Sequence, residues 1–194
     1  MKQTQNSRGE LIIAGLGGMG VLSAGQVLLE AAFQQFKYVS YTPTYGFAKR
    51  GGLCQCTIIF SDKEITSPLV EQAQTVMFLD SSQFGTFEPR VRPGGIIIAE
   101  KASMYAERDR KDYKLYELPG LEIAVSMGAS QVNNFIMLGA YIAITGAVSP
   151  SLIEAELNRR YGKDKKVYER NLNAFKRGLE LGQSAKSRKD KKVK

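Results

Sequence analysis

The sequence predicts an α/β fold: a mainly parallel sheet flanked by helices, with a Rossmann-like start and a helical C-terminal segment. Short apolar runs rich in β-branched residues alternate with segments of helical periodicity. The first run, "LIIAG", leads into the glycine-rich "AGLGGMGVLSAG", which is how the first βα unit of a nucleotide-binding fold begins. With 194 residues, 43% of them hydrophobic, the chain can bury one substantial core.

The first third of the chain gives a strand, a turn, a helix, a second strand and a loop. "ELIIAG" predicts the strand, and "GMGVLSAGQVLLEAAFQQF" predicts the helix because apolar residues recur at helical spacing. "KYVSYT" predicts the second strand. The following "PTYGFAKRGG" has one Pro and three Gly in ten residues, so it is a loop, and such a loop is usually mobile or functional.

The middle third continues the alternation. "LCQCTIIF", "TVMFLD", "GGIIIAE" and "YKLYELPG" predict strands. "SDKEITSPL" is expected to be a tight connection with a short strand, and "SSQFGTFEPRVRP" a helical or turn segment.

Three helices are predicted in the last third. "QVNNFIMLGAYIAITGA" is a core helix, too short and too polar at its start to span a membrane. Asn133 and Asn134 at its start either cap it or face a cleft, and capping is the favoured interpretation. "SLIEAELNRRYG" and "KKVYERNLNAFKRGLELG" are amphipathic helices.

The net charge of +8 is concentrated at the C-terminus, where "SAKSRKDKKVK" holds six Lys or Arg and one Asp. A lysine-rich segment with almost no apolar residues cannot bury enough surface to order itself. We therefore expect one α/β domain over residues 1–183 and a disordered basic tail over 184–194. Nucleic-acid binding by this tail is an alternative, but the sequence lacks interleaved basic and aromatic residues, so no nucleic-acid partner is expected.

Composition restricts the chemistry that the chain can perform. It has no histidine and two cysteines, Cys54 and Cys56, too few for an iron–sulfur cluster or a zinc site. Their spacing in a strand puts both on one face and predicts reduced, half-buried thiols. We expect no metal site and no catalytic residue in this chain alone. The polar start "MKQTQNSRGE" has no signal-peptide apolar region, so we expect a cytoplasmic protein without a membrane partner.

The glycine turn has two interpretations. Gly15, Gly17 and Gly20 have the G-x-G-x-x-G spacing that lets a phosphate approach the backbone. However, the acidic residue that would hold the ribose of NAD about 20 residues later is replaced by Ser40, Tyr41 and Thr42. The glycines therefore serve close packing or a transient anion, or, as the alternative, a dinucleotide. No G-K-[ST] follows, which excludes a P-loop.

The loop "PTYGFAKRGG" combines flexible backbone with two cations and an aromatic hydroxyl. Such a loop could bind phosphate or carboxylate groups of a coenzyme, or contact a partner subunit. An exposed basic loop without a ligand is the alternative.

Together, "GLGGMGVLSAGQVLLEAA", "TPTYGFAKRGGLCQCTIIFSDKEITSPLV" and "VNNFIMLGAYIAITGAVS" resemble the gamma subunit of the 2-oxoacid:ferredoxin (or other acceptor) oxidoreductases. The resemblance covers about residues 11–182, and its most specific part is P-[ST]-Y-G-x-x-x-R-G-G followed by a strand and "EITSP", here residues 43–68. Met19 stands where the family often has Gln, and Lys49 where it often has an acidic or aliphatic residue.

The resemblance implies one subunit of an enzyme that oxidatively decarboxylates a 2-oxoacid, transfers the acyl group to coenzyme A and passes electrons to ferredoxin or a similar carrier. Thiamine diphosphate, iron–sulfur clusters and coenzyme A are expected in the complex, none held tightly by this chain. The implied partners are alpha and beta subunits and, where the complex has one, a delta subunit. The loop sequence "TYGFAKRGG" resembles that of the 2-oxoglutarate enzymes more than that of the pyruvate or indolepyruvate enzymes, which implies 2-oxoglutarate as the substrate. The residues expected near a cofactor are Gly15, Gly17, Gly18, Gly20, Tyr45, Gly46, Lys49, Arg50, Gly51 and Gly52.

The residues alone also allow two other classes of function: an independent dinucleotide-binding oxidoreductase, and a nucleic-acid-binding protein that acts through the tail. A chain purified alone could also form a homodimer through a face meant for its partners.

Overall fold

The computed structural model describes residues 8–45, 52–105 and 110–192. In these ranges it has six strands and six α-helices, joined in places by single turns of 3-10 helix. The strands are β1 (Arg8–Leu16), β2 (Tyr38–Tyr45), β3 (Leu53–Ser61), β4 (Ala73–Phe78), β5 (Val91–Glu100) and β6 (Lys114–Leu118). The helices are α1 (Val21–Phe33), α2 (Phe84–Phe87), α3 (Gly120–Ser126), α4 (Asn133–Thr145), α5 (Pro150–Tyr161) and α6 (Lys165–Lys192).

The strands form one mixed sheet in the order β2-β3-β1-β4-β5-β6. β1, β4, β5 and β6 run parallel, whereas β3 is antiparallel to both β1 and β2. The predicted α/β fold with a mainly parallel sheet is thus confirmed. The Rossmann-like start extends through α1 and then departs, because β3 lies between β1 and β2.

Both faces of the sheet are covered, which explains the continuous apolar run of β1. Leu11 and Ile13 point into a core shared with α1, α4, α5 and α6. Ile12 and Ala14 point to the opposite face, where Phe84 and its neighbours cover them. A strand buried on one face only would have shown alternating polar residues instead.

The helices α4 and α6 pack with their backbones in close contact. A Cβ atom added at Gly178 would overlap the carbonyl group of Ile136, and one at Gly139 would overlap that of Phe175. Glycine is therefore needed at both positions for this approach. The contact buries α4 on almost all sides, which is why its sequence is apolar all round. None of the described helices has the length and apolar character needed to cross a bilayer.

The C-terminal segment differs from the prediction. α6 continues through residues 184–192 as helix, where a disordered tail was expected. Ala185 packs against the main core, and the Lys189 Nζ atom lies 4.6 Å from the centre of the Tyr116 ring. A cation over an aromatic face is attracted by the ring, so contacts with the sheet hold a segment that could not order by composition alone.

One prediction on the connections was wrong, and one element was missed. "SDKEITSPL" contains no strand of its own, since only its first residue, Ser61, belongs to β3. A short helix, α3, follows β6 in a segment for which the sequence analysis named no element. α3 has seven residues, too few for helical periodicity to be recognised.

Candidate functional site

The glycine turn lies at the carboxyl end of β1, where the parallel strands β1, β4 and β5 end together. Ligands of open α/β sheets bind outside this edge. Gly18 and Gly20 have φ angles of 96° and 77°, which only glycine adopts readily. A Cβ atom at Gly18 would meet nothing within 4 Å, so the backbone there is open to close approach by another molecule.

Gly15 has a different role from Gly18. It lies inside β1 opposite Cys54, and a Cβ atom there would come within 3.1 Å of the Val21 side chain and 3.3 Å of the Leu79 Cβ. Gly15 therefore allows the strand, the start of α1 and the end of β4 to pack closely, which is the packing role that the sequence left open.

Asn134 holds the other end of the turn. Its Nδ2 donates a hydrogen bond of 3.2 Å to the Gly20 carbonyl, and its Oδ1 accepts one of 2.9 Å from the Phe135 N–H. A Cβ atom at Gly20 would overlap the Asn134 amide. The N-cap position of α4 is Val132, which provides no side-chain cap, so neither asparagine is the N-cap residue. Asn134 instead accepts from an N–H of the first turn and also contacts the glycine turn.

The loop after β2 begins and ends beside the glycine turn. The Gly17 N–H donates a hydrogen bond of 2.9 Å to the Gly52 carbonyl, and Tyr45 at the end of β2 pairs with Cys54. The fold therefore brings together the two segments that the sequence singled out. Gly46, Lys49, Arg50 and Gly51 lie outside the described residues.

A cavity of about 260 Å³ lies next to the turn. Its walls come from four parts of the chain: the turn itself, the end of β4, the start of α3 and the start of α4. Its lining includes both apolar and polar side chains. The lining residues are Gly18, Met19, Leu79, Leu121, Ser130, Gln131 and Asn133. The cavity can receive part of a ligand or a side chain of a partner protein.

A buried carboxyl group, which sequence reasoning missed, lies behind this cavity. Glu100 ends β5 and is 1% exposed. Its Oε2 accepts a hydrogen bond of 2.9 Å from the Leu121 N–H, and its Oε1 accepts one of 3.2 Å from the Ala102 N–H. Burial raises the pKa of this carboxyl, while these hydrogen bonds and one from Asn133 oppose the rise. An acidic residue at the end of a buried strand was the available signal.

The cysteines are structural. Both are free and buried, on the face that packs against α1, and the Cys56 Sγ lies 3.8 Å from the Val21 carbonyl oxygen. Burial raises the pKa of Cys56 to about 12 and also raises that of Cys54. A thiol with a raised pKa is a poor nucleophile and a poor metal ligand. Within the described ranges, no three His, Cys, Asp or Glu side chains form a group that could hold a metal ion.

The geometry also bears on the dinucleotide alternative. In a Rossmann fold, the second strand lies beside the first and its end carries the acidic residue that binds ribose. Here β3 separates β1 from β2, and the end of β2 carries Thr42, Pro43 and Thr44 instead of an acid. Neither the position nor the residue type for ribose recognition is present in this part of the described chain.

Comparison with known proteins gives a consistent set of matches. The family model described as "Pyruvate ferredoxin/flavodoxin oxidoreductase" matches residues 10–181. The 2-oxoglutarate synthase subunit KorC of Archaeoglobus fulgidus is 32% identical over 88% of this chain and 86% of its own length. The ketoisovalerate oxidoreductase subunit VorA of Methanothermobacter thermautotrophicus is 33% identical over 87% of this chain. The chain spans 35% of the length of VorA.

Two solved structures share the fold. The gamma subunit of a keto/oxoacid ferredoxin oxidoreductase from Geobacter sulfurreducens has a TM-score of 0.77 at 24% identity, covering 91% of this chain and 99% of that one. A 2-oxoglutarate:ferredoxin oxidoreductase from Magnetococcus marinus, with 2-oxoglutarate, coenzyme A and succinyl-CoA bound, has a TM-score of 0.84 at 20% identity. The match covers 92% of this chain and 32% of that protein's chain.

Proposed function

Because the chain belongs to the pyruvate ferredoxin/flavodoxin oxidoreductase family, we propose that it is the gamma subunit of a multi-subunit 2-oxoacid oxidoreductase. The complex oxidatively decarboxylates a 2-oxoacid, forms the acyl-CoA and reduces ferredoxin or a similar acceptor in the cytoplasm. Thiamine diphosphate and iron–sulfur clusters belong to the alpha and beta subunits and, where present, a delta subunit. The buried thiols and the lack of a metal-ligating group among the described residues support this division.

The contribution of this chain is a binding edge rather than a catalytic group. The observation that carries this proposal is the Gly17–Gly52 hydrogen bond, which ties the basic loop to the glycine turn. Gly18 offers unobstructed backbone beside the cavity, a fit for close approach by an anionic group. Coenzyme A supplies the thiol that accepts the acyl group. Residues 45–52 and Gly18 would hold its anionic part, with Lys49 and Arg50 balancing the charge.

We propose 2-oxoglutarate as the substrate. Four KorC subunits of 2-oxoglutarate synthases are 27–32% identical, and this chain matches 86–97% of their length. VorA matches at similar identity over only 35% of its own length. Three of the four KorC subunits are 30–32% identical to this chain, above the 28% of the Thermotoga maritima PorC and the 26% of the gamma subunit common to the pyruvate and ketoisovalerate enzymes of Thermococcus litoralis. This difference in identity supports the 2-oxoglutarate type over the pyruvate type.

The first experiment is to purify the complex through a tag on this chain and to measure coenzyme A-dependent reduction of a viologen dye. The substrates are 2-oxoglutarate, pyruvate and 2-oxoisovalerate. We expect co-purified subunits and the highest kcat/KM with 2-oxoglutarate. Preference for another oxoacid would contradict the substrate, and a tagged chain without partners or turnover would contradict the subunit assignment.

The second experiment tests the binding edge. Arg50→Ala is expected to raise the KM for coenzyme A by about tenfold, the effect of one charge-assisted contact of about 1.5 kcal/mol, with assembly unchanged. Lys63→Ala, which removes an exposed cation from the connection after β3, is the matched control. An unchanged KM in Arg50→Ala would exclude this contact.

A further inference from the structure

β6 is the edge strand of the described sheet, and a groove runs along its outer side. β6 is the last strand of the sheet, so no strand in the described part of the chain pairs with its outer side. A cavity of about 410 Å³ is lined by the consecutive residues 115–119. Successive strand residues point to opposite faces, so a cavity that touches five in a row must run along the edge of the strand.

α6 forms the other wall of this cavity. Leu181, Ser184, Ala185, Arg188 and Lys189 line it from the helix side. Leu115 and Lys189 also line a second cavity, of about 390 Å³, which continues to Arg110, Lys111 and Tyr113. We call the two together the β6 groove.

The β6 groove is basic. Its described lining includes the cations Arg110, Lys111, Arg188 and Lys189, against one carboxylate, Glu117. Arg110 is held by Asp112 at 3.0 Å, and Lys189 lies over Tyr116, so these two shape the walls. Lys111 and Arg188 are exposed and can therefore meet charges on a partner.

We propose that the β6 groove binds an extended acidic segment of a partner protein, which adds to the sheet as a strand beside β6. An open sheet edge presents unpaired N–H and C=O groups that an extended peptide can satisfy. The five residues of β6 set the paired length at about 17 Å. The cations select an acidic segment, and Lys114 and Glu117 in β6 disfavour pairing between two copies of this chain.

This proposal is independent of the coenzyme A edge. The β6 groove lies at the opposite side of the sheet from β2 and β3, which carry the basic loop. A wrong assignment at the glycine turn would leave the β6 groove unaffected.

The test uses the full-length chain and a fluorescent seven-residue peptide of alternating Glu and Val with blocked ends. We expect saturable binding that weakens with salt, and slower amide hydrogen exchange over residues 114–118 when the peptide is added. The double variant Lys111→Glu/Arg188→Glu should bind at least about tenfold more weakly, since two favourable charge contacts become repulsive. Lys176→Glu/Lys186→Glu changes the net charge equally outside the groove lining and should bind like wild type.

A second peptide separates strand addition from charge attraction. Methylation of alternate backbone nitrogens keeps all its charges but removes the donors for pairing, so it should bind weakly and leave the exchange of β6 unchanged. If the groove variants are poorly folded by circular dichroism, Lys111→Gln/Arg188→Gln replaces them.

Three results would overturn the proposal: no saturable binding of the Glu–Val peptide, equal binding of both peptides, or equal loss in the groove and control variants. A single-stranded oligonucleotide that binds more tightly than the peptide through Lys111 and Arg188, without protecting β6, would make the groove a nucleic-acid site instead.

Discussion

The Gly17 N–H and the Gly52 carbonyl oxygen lie 2.9 Å apart and join the glycine turn to the loop after β2. The two residues are far apart in sequence, but β3 runs antiparallel beside β1, and its first residue pairs with the last residue of β1, Leu16 with Leu53. The beginning of β3 is therefore fixed at the same edge as the turn. The proposed binding edge is a consequence of this strand pairing.

Alanine substitutions in the turn should separate backbone strain from side-chain overlap. Gly18→Ala places a Cβ atom in open space at positive φ, so it should lower the free energy of unfolding by about 1–2 kcal/mol. Gly20→Ala adds an overlap with the Asn134 amide and should lower it by about 2–4 kcal/mol. Urea unfolding measures both values.

Asn134→Ala provides the control for that overlap. Adding Gly20→Ala to an Asn134→Ala background should destabilise less than adding it to wild type, because the amide is no longer there to be displaced. Equal losses in the two backgrounds, or equal losses for the two glycine variants, would contradict the contact.

Glu100 should make stability depend on pH. Its pKa in the folded chain is raised by burial, so the folded state binds the proton more tightly than the unfolded state, where a Glu titrates at about 4.3. Stability is then greatest below that value and is lost as pH rises towards the folded pKa. Thermal unfolding between pH 4 and pH 9 should show this loss in wild type and a flatter profile in Glu100→Gln.

Glu64→Gln is the matched control, because Glu64 is exposed in the connection after β3. Its profile should follow that of wild type. A Glu100→Gln profile with the wild-type slope would show that another group is responsible.

The two thiols should be unreactive in the folded chain. Cys56 is fully buried with a pKa raised to about 12, and Cys54 is 8% exposed. At pH 8 we expect an aromatic disulfide reagent to label the native protein at least about tenfold more slowly than the urea-unfolded protein. Two thiols should become accessible to the reagent on unfolding, since the chain has two cysteines. Rapid labelling of native protein would contradict the burial.

Truncation tests whether the C-terminal segment is part of the folded domain. A chain ending at Gln183 loses the packing of Ala185 and the Lys189–Tyr116 contact, and should be less stable by about 1–2 kcal/mol. Its helical circular dichroism should also decrease. A chain ending at Asp190 keeps both contacts and should match wild type; identical behaviour of the two truncated chains would support a disordered tail.

Much of the fold was predictable from local pattern. β1, the glycine turn and α1 follow from an apolar run, closely spaced glycines and helical spacing, and each of these depends on residues close in sequence. α4 was recognisable because burial on all sides requires apolar residues throughout. The absence of histidine and the two closely spaced cysteines limited the chemistry without any knowledge of the fold.

The site itself depended on contacts between distant residues. Asn134 donates a hydrogen bond to the Gly20 carbonyl, and Glu100 accepts one from the Leu121 N–H. Both pairs are separated too far along the chain to leave a periodic signal in the sequence. Residues 184–192 continue α6, and the contacts of Ala185 and Lys189 that hold this end of the helix against the sheet could not be read from the composition. Local sequence thus determined which elements form, while the strand order β2-β3-β1-β4 decided which of their ends meet, because pairing in the sheet joins backbones that are remote along the chain.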